Sequence, residues 1–144
     1  MTELDSTWLE ELSELLRIES VSADPEREDE VRRAAEWVRD FVRRAGGEAE
    51  LVETETFPLT VGEIRASGGG EAPTVLVYGH VDVQPPAPLD AWESPPFEPT
   101  IRDGWLYGRG TADDKGQLYA LLKATSLLAA AGELPVNVRI VCDG

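Results

Sequence analysis

The chain has 144 residues, 42% of them hydrophobic and 28% charged, which suits one domain with a real buried core. Thirteen basic against 28 acidic residues leave a net charge of −15, arguing against nucleic acid or an anionic membrane as partner. The only cysteine, Cys142, has no internal disulfide partner, so an oxidising compartment is not implied. The start, Met1-Thr2-Glu3-Leu4-Asp5, lacks the basic and apolar blocks of a signal peptide. No apolar run approaches the roughly 20 residues that span a bilayer. A cytoplasmic protein is expected.

Thr7 to Ile18 is amphipathic, with Trp8, Leu9, Leu12, Leu15 and Leu16 at helical spacing and Thr7 with Glu10 as a capping box. Asp24-Pro25 reads as a cap and first-turn proline, and Val31, Ala34, Ala35, Val38, Phe41, Val42 and Ala45 continue one apolar stripe. Gly46-Gly47 stops it. Strands are expected at Glu48 to Thr54, Val61 to Ala66 and Thr74 to Tyr78, the last so uniformly apolar that both its faces should be covered. Gln84 to Pro99 holds six prolines and reads as an ordered loop. Asp103-Gly104 between Thr100-Ile101-Arg102 and Trp105-Leu106-Tyr107 signals a hairpin. A helix from Gln117 to Ala131 and a buried strand from Val136 to Cys142 complete the chain.

This alternation predicts an α/β fold with helices on both sheet faces. The right-handed crossover rule places Val136–Cys142 parallel to Thr74–Tyr78, as a neighbour or near-neighbour. Sites in such sheets lie at the carboxyl ends of strands, where His80 and Asp82 fall. Two residues apart in an extended chain, their side chains point the same way. Asp82 could therefore ligate a metal beside the histidine, or accept its other N–H and fix the tautomer. His80 is the chain's single histidine. A strand-end histidine is often structural, and acids before a helix are ordinary dipole partners. The strand-end His-x-Asp, the turn Gly108-Arg109-Gly110 and the acids Asp113-Asp114 at a helix start together point to a metal site.

Rival motifs fail. The Gly-Arg-Gly turn resembles the opening of a dinucleotide fingerprint, but Asp113 replaces the third glycine and would repel pyrophosphate. No phosphate-binding loop, His-Glu-x-x-His pair or serine nucleophile elbow is present, and Cys142 has no second histidine to activate it.

Tyr78-Gly79-His80-Val81-Asp82-Val83-Gln84-Pro85, Trp92, Pro96-Phe97-Glu98-Pro99, Asp103 to Gly110, and Asp113-Asp114-Lys115-Gly116 resemble one superfamily. It comprises the dinuclear zinc metallopeptidases: carnosinase-type dipeptidases, aminoacylases, succinyl-diaminopimelate desuccinylases and carboxypeptidases G. Gln84-Pro85 and the Asp-Asp-Lys-Gly run look like the dipeptidase branch.

The resemblance implies that residues 1–144 are the amino-terminal part of the catalytic domain, an incomplete, mixed and largely parallel sheet covered by helices. The lid or dimerisation domain and the other catalytic half are expected beyond residue 144. His80 would ligate one metal ion, Asp113 would bridge two, and Asp82 would be the catalytic partner that orients His80. The cofactor would be zinc, two ions per complete site, with manganese or cobalt as substitutes. Water activated by the metals would attack the amide carbon of a dipeptide or N-acyl amino acid, and a glutamate would accept its proton. That glutamate opens a Glu-Glu pair which relatives carry after the strand matching Val136–Cys142, whereas this chain reaches Asp143-Gly144 and stops. The chain alone is therefore expected to be inactive, and the complete enzyme to be a homodimer. The alternative is a non-catalytic α/β fragment that binds no metal and at most packs with a partner.

Overall fold

The computed structural model describes residues 6–144; the start read above, Met1 to Asp5, lies outside the described residues. Helix α1 spans Ser6–Leu16 and buries Ser13, Leu15 and Leu16. It begins one residue before Thr7, so the expected cap lies inside the first turn. Asp24 does cap, its Oδ1 accepting the amide of Glu26, but the proline turn it starts, Pro25–Arg27, is a separate 3₁₀ segment. Helix α2, Glu28–Arg44, follows, and its stripe from Val31 to Val42 is buried as expected. Gly46 ends it with φ +85°, a conformation that glycine adopts without strain.

Strands β1 (Glu48–Val52), β2 (Leu59–Ile64) and β3 (Thr74–His80) come next, then the hairpin strands β4 (Thr100–Arg102) and β5 (Trp105–Tyr107). Helix α3 (Lys115–Ala130) and β6 (Asn137–Asp143) complete the chain. Asp103 and Gly104 turn the hairpin with φ of +51° and +81°, the left-handed pair of a two-residue turn. The main sheet has the order β1-β2-β6-β3. β3 and β6 are parallel neighbours, as the crossover rule requires, while β2 pairs antiparallel to β6 and β1 to β2. The sheet is mixed, as expected, with one parallel pair among its three.

Two sequence expectations fail together. A Cβ at Gly62 of β2 would meet Val42 of α2, and one at Gly79 of β3 would meet Leu118 of α3. Gly62 and Gly79 lie in register with Ile140 and Cys142, which face the same way along β6, so both helices lie on one sheet face. On the opposite face Leu76 and Tyr78 are 61% and 62% exposed. β3 is an edge strand, and its apolar run is covered on one face only. Among the described residues no helix is long and apolar enough to cross a membrane.

Candidate metal centre

The site grows from the carboxyl ends of the two parallel strands. His80 lies opposite Asp143 in register, and the Val81 amide donates to the Asp143 carbonyl at 2.8 Å, which carries the ladder one step further. Val81 and Val83 are then buried and anchor the chain. Asp82 between them turns outward on the same side as His80, as two-residue spacing dictates. The His80 Nδ1 lies 2.9 Å from Asp82 Oδ1 and 3.1 Å from the Asp82 carbonyl.

Asp113 arrives from the other direction, on the turn before α3. The turn is tight: Gly110 has φ +87°, and a Cβ on Gly116 would collide with the Thr111 carbonyl oxygen. The Asp113–Asp114 peptide bond is cis. Asp113 Oδ1 reaches His80 Nε2 at 3.0 Å, so the structure brings His80, Asp82 and Asp113 together. Asp114 has a different task. Its side chain makes no capping bond to α3, and its Oδ2 instead accepts the His80 amide at 3.3 Å.

The electrostatics follow from this packing. Burial pulls the His80 pKa down, but the Asp82 carbonyl and the carboxylates of Asp82 and Asp113 outweigh it, and the net shift is upward. Without a cation, a proton on each ring nitrogen satisfies the acceptors on both sides. Metal and proton thus compete for the Nε2 position. Asp113 is open to an incoming ion, with 82% of its side chain exposed, against 34% for His80 and 26% for Asp82.

His80 Nε2 and Asp113 Oδ1 form a mixed nitrogen and oxygen donor pair whose spacing suits a shared cation, since metal–ligand bonds are about 2 Å long. The pair fits such an ion as part of its shell. Among the described residues no three His, Cys, Asp or Glu side chains converge to hold a metal. A catalytic zinc ordinarily takes three protein ligands, so further donors are needed.

Sequence reasoning overlooked two contributors. Ser22 Oγ donates to Asp82 Oδ2 at 2.5 Å. Lys115 is fully buried, and its Nζ donates to the Leu15 and Ile18 carbonyls at 3.1 and 2.7 Å, closing the end of α1. Burial pulls its pKa down to about 7. A lysine directly after an acidic pair at a helix start was the available signal; nothing local marked its inward course.

Residues 76–144 match the family described as Peptidase family M20/M25/M40. The structure is also similar over 100% of this chain to an M20 family metallo-carboxypeptidase, Sso-CP2 from Sulfolobus solfataricus, with TM-score 0.85 and 34% identity. Fold and sequence thus point the same way: the chain shares its fold with a solved M20 family peptidase, and residues 76–144 match the sequence of the M20/M25/M40 family. Human carnosine dipeptidase 1 matches 95% of the chain with TM-score 0.85 and 31% identity. The succinyl-diaminopimelate desuccinylase of Azoarcus sp. (strain BH72) is 52% identical over 71 residues, 49% of this chain. The chain spans 19% of that relative's length and 31% of each of the two solved chains. These names cover a carboxypeptidase, a dipeptidase and a desuccinylase, so the comparisons select no single branch.

Proposed function

We propose that this chain supplies part of the metal-binding wall of an amide hydrolase acting on dipeptides or N-acyl amino acids. The observation that carries this reading is the convergence of His80 Nε2 and Asp113 Oδ1 at 3.0 Å, at the carboxyl edge of a fold shared with M20 peptidases. His80 and Asp113 would hold zinc, with manganese or cobalt as substitutes, and Asp113, with two oxygens, could bridge a second ion. Bound there, the metal would polarise the scissile carbonyl and acidify water. Asp82 would accept the Nδ1 proton of His80, leaving the Nε2 lone pair to ligate the ion. Asp114 fixes the His80 backbone and Lys115 fixes the turn that carries Asp113.

A second reading, a non-catalytic fragment without metal, draws on the absence of a three-donor cluster among the described residues. A chimera separates the two. The chain is joined to the remaining sequence of the Sulfolobus carboxypeptidase and assayed with zinc on a dipeptide, an N-succinyl and a carboxypeptidase substrate. Amide hydrolysis that His80→Ala abolishes supports the first reading; a folded, metal-free, inactive chimera supports the second.

A further inference from the structure

We propose that Ser22 is a positioning residue of this centre: its hydroxyl holds the Asp82 carboxylate so that His80 keeps its proton on Nδ1 and turns the Nε2 lone pair toward the cation. The inference rests on the metal reading above and adds a residue to it.

Three observations combine. First, Asp82 divides its carboxylate, with Oδ1 on His80 Nδ1 at 2.9 Å and Oδ2 on Ser22 Oγ at 2.5 Å. A carboxylate held at both oxygens has one rotamer, whereas one held at a single oxygen can rotate about its terminal torsion. Second, the backbone that presents Ser22 is itself fixed. Ser20 is fully buried; its hydroxyl donates to the Val81 carbonyl at 2.6 Å, and its carbonyl accepts the Val83 amide at 2.9 Å. Ser20 therefore brackets Asp82 from both sides, and Ser22 reaches across to its side chain. Third, the buried Lys115 ammonium holds the Ile18 carbonyl at 2.7 Å, so the strap from Ile18 to Ser22 is tied to the turn that carries Asp113. One segment, 60 residues from Asp82 in sequence, is fastened to both walls of the site.

The tautomer follows from counting acceptors. Nδ1 faces two oxygens, the Asp82 carboxylate and carbonyl, while Nε2 faces one, from Asp113. A neutral ring places its single proton where two acceptors converge. Releasing the carboxylate leaves one fixed acceptor on each side, and the preference weakens. Outer partners of metal-bound histidines typically tune affinity by about 10–100-fold, and Ser22, one bond further out, is expected at the lower end.

The test uses the 144-residue chain, whose single histidine gives one set of imidazole ¹⁵N resonances. On the basic side of its titration, wild type should show a pyridine-type Nε2 and a protonated Nδ1. Ser22→Ala should shift both resonances toward a tautomer mixture, at unchanged thermal stability, and Ser22→Thr should restore them. Zinc chloride alone, titrated against the same signals, should need about tenfold higher concentration to half-saturate Ser22→Ala. Wild-type resonances in Ser22→Ala, or scrambled ones in a folded Ser22→Thr, overturn the proposal. If zinc moves the His80 signals in no variant, the metal reading falls, and the tautomer comparison still decides the role of Ser22.

Discussion

Asp113 and Lys115 are two residues apart on one turn and belong to opposite environments. The Asp113 side chain is 82% exposed and extends to His80 across an acidic rim. Lys115 is fully buried beneath the end of α1 and spends its ammonium on two backbone carbonyls. Rim and floor are thus built by one short segment under different rules. The floor, close-packed and with the Lys115 Nζ held by two carbonyls, supplies stability. The rim leaves charge open to a ligand and contributes little to folding. Substitutions at the two positions should separate along this line.

The largest effect is expected at the floor. Lys115→Ala leaves a cavity and two unpaired carbonyls, and should cost about 4 kcal/mol of unfolding free energy. Lys115→Met keeps the volume and loses only the hydrogen bonds, so about half that loss is expected in urea titrations. Equal losses would show that the hydrogen bonds, not the packing, hold the end of α1.

The pH dependence separates the regions by sign. Lys115 releases its proton near pH 7 in the folded chain but only near about 10.4 when unfolded. Between these values the unfolded chain binds more protons, so this residue makes stability rise with pH. The raised pKa of His80 acts oppositely. Its stabilisation is full below the unfolded value of about 6.5 and is lost as pH rises through the higher folded value. Lys115→Met should abolish the alkaline rise, by a few kcal/mol, and His80→Ala should abolish the fall that sets in above the unfolded histidine value. A stability curve that neither variant changes would contradict both assignments.

The smallest stability effect belongs to the rim itself. Asp113→Asn should change unfolding free energy by less than about 0.5 kcal/mol, as exposed substitutions usually do. It should still lower the His80 pKa, because one of the carboxylates that favour the imidazolium is gone. A ¹⁵N titration of His80 beside a urea melt checks both halves of this expectation.

Much of this was legible in the chain. The His-x-Asp spacing, the Gly-Arg-Gly turn and the paired acids mark the rim because local geometry decides where those side chains point. The hairpin around Asp103-Gly104 and the parallel pairing of β3 with β6 follow from turn chemistry and handedness in the same way. What stayed hidden depends on long-range packing. Nothing local to Leu76 or Tyr78 shows that β3 is an edge strand with one bare face. Nothing near Ser22 shows that its partner lies 60 residues away. Nothing local to Lys115 shows that α1 ends above it.

The central claim, that His80 and Asp113 form one cation-binding pair, is tested most directly by calorimetric zinc titration of residues 1–144 beside His80→Ala and Asp113→Ala. With two donors per ion, binding should be weaker than micromolar, should release the competing His80 proton, and should vanish in both variants. Dipeptide hydrolysis by the chain alone should be undetectable. Zinc affinity unchanged by either substitution, or submicromolar binding accompanied by turnover, would contradict the account.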